Sequence, residues 1–211
     1  MQAAGSTPSS TDRALELAFE LTSVVQLAGF ALLHLATYGR ALFGASELGA
    51  RAPVSGWSVV LEAFGLWLPL GFHTFFGYFV WQRRRQSQPS PAGDRAWLAL
   101  HRTSGVVLLL FLADHFIRFR LPIITGDRYP AESVVALARE LSTTVAGFPL
   151  LAAWHALGTL ALAFHLGYGL MRIADRRARP ALKSRIRMLC AGVGVATAVF
   201  GTLTVVRLAA G

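Results

Sequence analysis

WLALHRTSGVVLLLFLADH, residues 97–115, decides the architecture: it is an apolar run that carries a histidine near each end. Extended to Phe119, it reaches the ~20 residues a helix needs to cross the hydrocarbon of a bilayer. Four further stretches have the same character, roughly Leu15–Tyr38, Trp57–Trp81, Phe148–Met171 and Ile186–Leu208. With Trp97–Phe119 they predict an all-α fold. It would be an integral membrane bundle of five transmembrane helices forming one domain over residues 1–211.

Composition agrees. Hydrophobic residues make up 54% of the 211, charged residues only 15%, and the mean hydropathy is +0.50. A soluble domain carries about 25% charged residues. Disorder, a coiled coil and a disulfide-rich secreted fold are excluded. The single cysteine, Cys190, excludes a cysteine zinc site or an iron–sulfur cluster held by this chain, since each needs several thiolates. It reads as a small apolar residue of the last span. A net charge of +9 would suit a nucleic-acid partner, but the basic residues cluster between the apolar runs, which is the pattern that orients a membrane protein.

The loop after the second span holds Arg83, Arg84, Arg85 and Arg95. The loop after the fourth holds Arg172, Arg176, Arg177, Arg179, Lys183, Arg185 and Arg187. After the third span, Asp127, Glu132 and Glu140 offset Arg128 and Arg139. The positive-inside rule then puts the N-terminus in the cytoplasm and the C-terminus outside. Trp57, Trp81 and Trp97 stand at span ends, where interfacial aromatics belong. The first ten residues, MQAAGSTPSS, lack the basic start of a signal peptide, and the first span is too long for a signal core, so it is expected to be retained. AESVVALAREL (131–141) has helical apolar spacing and is expected on the outer surface, and QSQPSPAG (86–93) is expected to be a turn or short linker.

All six histidines, His34, His73, His101, His115, His155 and His165, fall inside the spans. An ionisable group in hydrocarbon is costly and usually faces the bundle interior. One alone reads as a hydrogen-bonded residue between helices. A set spread over four helices points to haem, whose iron takes imidazole from two opposite sides. There is no CxxCH motif, so attachment would be non-covalent, as in haem b.

Depth sorts the histidines at about 1.5 Å per residue. His73 and His165 lie ~13 Å and ~10 Å from the cytoplasmic ends of their spans and can share one iron. His115 lies ~27 Å from the cytoplasmic start of its span and His34 ~30 Å beyond Arg13, so these two can share a second iron nearer the outer face. His155 has the depth of the outer pair and His101 that of the inner, so each is a competitor. Gly77 and Gly169 each follow an inner histidine at i+4, on the same helix face, where they would let a porphyrin lie against the backbone. Glycine also serves plain helix packing in membranes. Two bis-histidine haems, with no open axial position and roughly 15 Å apart, suit electron transfer across the membrane rather than oxygen chemistry.

Three stretches resemble a known family. LEAFGLWLPLGFH (61–73), WLALHRTSGVVLLLFLADH (97–115) and LGTLALAFHLGYGL (157–170) are similar to spans two, three and four of one subunit type. It is the di-haem cytochrome b membrane anchor of succinate dehydrogenase and fumarate reductase, in its five-helix single-subunit form. The matching residues in the first stretch are Leu61, Glu62, Phe64, Leu68, Pro69, Leu70 and His73. In the second they are Trp97, Leu98, Arg102, Gly105 and His115, and in the third Gly158, Phe164, His165, Gly169 and Leu170. ALLHL (31–35) resembles the first span more weakly, and the fifth span matches only as a hydrophobic helix. The resemblance implies His34 and His115 as ligands of the outer haem iron and His73 and His165 as ligands of the inner one, the pairs that depth also selects. The chain departs from the family in a longer outer loop between spans three and four. It also has His101 where a relative has glutamine, which implies a polar neighbour of the inner haem rather than a ligand.

Haem propionates need cationic or hydrogen-bonding partners. Arg102 and Arg172 lie at the depth of the inner haem. Arg172 is as well explained by snorkelling, whereas Arg102 is deeper and matches a family position. Glu62 precedes His73 by 11 residues, which on an even helix puts it within about 20° of the same face and ~16 Å further out. A carboxylate there can accept a proton from a quinol. Asp114 has Arg118 at i+4 and is expected to form an ion pair on the helix surface.

The resemblance therefore implies a respiratory subunit of the bacterial inner membrane. It would anchor an iron–sulfur and a flavoprotein subunit at the cytoplasmic face and exchange electrons with a quinone, menaquinone in this reading. The dicarboxylate would react in a partner. Two rivals remain: the cytochrome b subunit of another quinone-linked complex, of hydrogenase or formate dehydrogenase type, and a haem-free transporter whose histidines relay protons.

Overall fold

A computed structural model describes residues 10–43, 56–87, 92–127 and 130–210. Among these the chain is helical and forms no strand. Helix α1 covers 10–39 as Ser10–Leu21, a π-helical stretch Thr22–Ala28, and Gly29–Gly39, and it closes in a 3-10 turn at Arg40–Phe43. Helix α2 covers 56–87 as Gly56–Glu62, a π-helical stretch Ala63–Trp67, and Leu68–Ser87. Helix α3 covers 92–124 as Ala92–His115, a π-helical stretch Phe116–Arg120, and Leu121–Ile124. Helix α4 is Pro130–Ser142, α5 is Leu150–Arg177 and α6 is Pro180–Ala210. Of the linker expected at 86–93, residues 86–87 end α2 and 92–93 begin α3, while 88–91 lie outside the described residues, as does Arg128.

Four of the helical stretches, Arg13–Gly39, Val59–Phe79, Leu150–Arg177 and Pro180–Ala210, are long and apolar enough to cross a membrane. Helix α3, the expected third span, is not among them. Arg102, Asp114 and Arg118 stand within its apolar run, although the helix itself continues through it. The amphipathic segment expected at 131–141 is a helix, and its apolar face is turned to protein: Leu137 and Leu141 are buried with Phe119 of α3 and Leu208 of α6.

Proline and hydroxyl chemistry account for the π stretches. Proline lacks an N–H, and its ring collides with the carbonyl four residues back. Pro69 follows the wide turn at Ala63–Trp67 by two residues, and Pro122 follows the one at Phe116–Arg120 by two. Widening the preceding turn moves that carbonyl aside. In α1 the wide turn begins where Thr22 and Ser23 donate their hydroxyls to carbonyls of the preceding turn, Thr22 Oγ1 to Ala18 O at 2.9 Å and Ser23 Oγ to Phe19 O at 2.5 Å. Such back-bonding competes with the helix ladder and bends it.

The described residues form two compact units, divided within α1 between Ala31 and Leu32 and again between Val59 and Val60, with the chain from α3 onward in the second. In the first unit, α1 packs on α2: Phe19 stacks on His73 with ring centres 4.7 Å apart and planes 6° from parallel, and it meets Phe76 at 5.3 Å. The second unit is organised around α5 and α6. Their backbones approach closely at small residues. A methyl group on Gly194 would stand 3.0 Å from the Ala163 carbonyl, and one on Gly167 would stand 3.1 Å from the Gly194 Cα. Close approach through small residues is how helices associate in lipid, where the surroundings are as apolar as the contact. Helix α3 packs on the other side of α5, with Phe111 set against Gly158.

Candidate functional site

In the first unit, His73 sits on α2 between Phe19 and the Ser23 hydroxyl. The hydroxyl proton of Ser23 is committed to the Phe19 carbonyl, so in the 2.7 Å contact between Ser23 Oγ and His73 Nδ1 the ring donates and the oxygen accepts. That bond places the proton on Nδ1 and the lone pair on Nε2. This is the arrangement found behind metal-bound histidines, whose second ring nitrogen is held by an oxygen.

In the second unit, His165 of α5 has the same arrangement. Its Nδ1–H donates to the His101 carbonyl at 3.1 Å, with Ser104 Oγ at 3.4 Å. The His101 ring lies flat on it, with centres 4.1 Å apart and planes 15° from parallel. The approach depends on Gly105, where a methyl group would stand 2.9 Å from His165 Cε1. His101 is thus a stacking partner of His165, in keeping with a neighbour rather than a ligand. Gly77 and Gly169, expected to make room for a porphyrin, face aromatic rings: Phe19 lies 3.7 Å from a methyl placed on Gly77, and His101 3.6 Å from one on Gly169. The expected pairing of His73 with His165 joins residues of different units and rests on their motifs and depths.

At the other end of α3 three imidazoles meet. His115 has His34 at 5.9 Å with planes 81° apart, and His155 at 5.8 Å with planes 65° apart. Tyr38 packs on His34, while Phe111 and Phe119 line His115 and His155. Two imidazoles on one iron stand about 6 Å apart between ring centres, from two bonds of about 2 Å plus a ring radius on each side. The 5.9 Å spacing of His34 and His115 is of that size, as is the 5.8 Å spacing of His115 and His155. His115 Nδ1 and His155 Nε2 are buried with no hydrogen-bond partner. Among the described residues no three His, Cys, Asp or Glu are grouped to hold a bare metal ion, but a haem asks the protein for only two axial nitrogens.

Glu62 departs from expectation. A π turn holds roughly one residue more than an α turn, so the stretch Ala63–Trp67 rotates Glu62 by about 100° relative to His73. The two do not share a face as even spacing predicts. Glu62 is half-buried and accepts a hydrogen bond from Trp67 Nε1 at 3.2 Å. Arg102, the residue after His101 on α3, is exposed, and Arg172 is half-buried two turns beyond His165. Asp114 and Arg118 form the expected ion pair at 2.7 Å. Sequence reasoning missed two further partners, Glu140 at 3.7 Å from Arg118 and the Trp154 indole, which donates to Asp114 at 3.1 Å.

The chain is similar to the succinate dehydrogenase cytochrome b558 subunit of Bacillus subtilis (strain 168). The two are 23% identical over 158 residues, which cover 73% of this chain and 74% of the relative. No family profile and no solved structure matches the chain. The similarity supports the cytochrome b family that the motifs suggest. His73, His155 and His165 each hold Nδ1 against an oxygen.

Proposed function

We propose that this chain is the membrane anchor and di-haem electron-transfer subunit of a succinate:quinone oxidoreductase in the bacterial inner membrane. The observation that carries the reading is the shared tautomer of His73 and His165, each with Nδ1–H held by an oxygen. The cytochrome b558 relative and the four long apolar helices support it. In this reading α3 also crosses the membrane, as the third of five spans, and the N-terminus is cytoplasmic. His73 and His165 hold the inner haem b and His34 and His115 the outer. Arg102 and Arg172 face the inner propionates, and His101 braces His165.

Each bound haem supplies a one-electron carrier. The chain's own part is to fix the axial rings and keep water away from them. Ser23 and the His101 carbonyl set the ring orientations, and Phe111 and Phe119 make an apolar wall beside His115. Glu62 is proposed as the proton acceptor for quinol, menaquinone in this reading. Iron–sulfur and flavoprotein partners at the cytoplasmic face would carry out the dicarboxylate chemistry.

Purification of the chain from its native membrane tests this. Two haems per chain by pyridine haemochrome, together with co-purifying flavin and iron–sulfur subunits, is the expected result. Hydrogenase or formate dehydrogenase subunits in their place, or a preparation with no Soret absorption, would overturn it.

A further inference from the structure

Between Val59 and Phe72 only Glu62 and Trp67 carry a side-chain atom that can hydrogen-bond. They are bonded to each other: the Trp67 indole N–H donates to Glu62 Oε1 at 3.2 Å, and both residues are half-buried. On an even α-helix, residues five apart point about 140° away from one another and do not meet. Here the Leu68 N–H bonds to the Ala63 carbonyl five residues back, and the extra residue in that turn reduces the angle to about 40°. The pair is therefore made by the widened turn that precedes Pro69, the same turn that moves Glu62 off the face of His73. An indole N–H at membrane depth needs an acceptor, and a carboxylate has about four lone-pair sites, of which this bond uses one. A glutamate side chain turns about three bonds, and a bond to one of its oxygens restricts all three.

We infer that Trp67 is the positioning residue for Glu62: its N–H holds Oε1 and so sets the direction in which the carboxylate meets a proton donor. This rests on the reading of Glu62 as the quinol proton acceptor and deepens it. Trp67 keeps its own proton throughout and acts only through Glu62. Fixing the acceptor in advance favours the proton-transfer step rather than the binding of the quinone.

Steady-state kinetics of the assembled complex test this, with dimethylnaphthoquinone as a tail-less menaquinone analogue and with haem content and succinate–dye activity measured alongside. Trp67→Phe keeps an apolar ring and removes the N–H. Its quinone-linked kcat should fall about tenfold, the scale of a hydrogen bond to a charged group, with KM, haem content and dye activity as in wild type. In a Glu62→Gln background the same change should cost nothing further, because there is no titratable group left to position. An unchanged kcat in Trp67→Phe overturns the inference. So does a further fall in the double variant, or a change in KM alone, since either shows the ring acting apart from Glu62. All three results leave Glu62 as the proton acceptor, whereas normal quinone activity in Glu62→Gln overturns that reading instead. Should Trp67→Phe fail to assemble, benzothienylalanine at position 67, which has sulfur in place of the N–H and the same ring size, carries the same expectations.

Discussion

At the His101 end of α3 two imidazoles lie flat on each other 4.1 Å apart, and the Nδ1–H of one is tied to the backbone of the other. At the His115 end three imidazoles meet edge to face at 5.8 and 5.9 Å, and two of their ring nitrogens are buried without a partner. The first arrangement is specified by the chain's own atoms: a glycine leaves the space, a carbonyl fixes the proton, and a second ring covers the face. The second is specified by ring contacts: Tyr38 packs on His34, and Phe111 and Phe119 line His115 and His155.

The strongest challenge to this contrast is His165→Ala. It removes the pre-oriented ring and should take the inner haem with it, halving the pyridine haemochrome yield while the outer haem spectrum stays unchanged. Two haems in that variant would mean that the ordered end of α3 is packing and not a site. Next in size is Glu62→Gln, which keeps the shape and removes the titratable group. Quinone-linked activity should fall by about 100-fold, the lower range for a general acid–base residue, with haem content and succinate–dye activity retained. Unchanged quinone activity would make Glu62 a hydrogen-bond acceptor for Trp67 and nothing more.

Ser23→Ala sharpens the comparison at a third histidine. Loss of the oxygen behind His73 should weaken haem binding there by ~10–100-fold, as loss of an outer partner does at metal sites generally, read as partial occupancy of the inner haem. Full occupancy would show that stacking on Phe19 alone orients the ring. The smallest effect belongs to Arg118→Ala. Its pairs with Asp114 and Glu140 are partly exposed, so thermal stability should change by no more than about 1 kcal/mol, measured by melting of the assembled complex. A larger loss would show that α4 is held on by charge rather than by Leu137 and Leu141.

Much of this was legible beforehand. Four of the five apolar stretches lie wholly in helices and the fourth, Phe148–Met171, does so from Leu150; the segment at 131–141 is a helix, and Asp114 meets Arg118, because hydrophobic period and i+4 spacing are local properties of the chain. What was not legible depends on register. Even spacing failed at Glu62, where Pro69 sits close enough to have signalled a widened turn. Ser23 reads in sequence as an ordinary hydroxyl in an apolar helix, since its bond to His73 needs the depth match of two helices. His155 reads as a competitor for a ligand role, and neither its burial nor its bond to Leu151 could be read from the sequence.

Helix α6 has no histidine, yet it determines where α5 can stand. Its buried positions Gly194, Thr197, Gly201 and Thr204 recur at intervals of three and four, and a methyl group on Gly201 would collide with Thr159 of α5. The opposite side, with Val195, Val199, Leu203 and Val206, is exposed in the isolated chain and would face lipid, which does not distinguish one aliphatic residue from another. The identity of this helix is therefore written in a few small residues among many exchangeable ones. Comparison by residue identity reads mostly the exchangeable ones, which explains how α6 can be structurally indispensable and still look like any hydrophobic helix. A search weighted to the 194–197–201–204 spacing would find relatives that overall identity passes over.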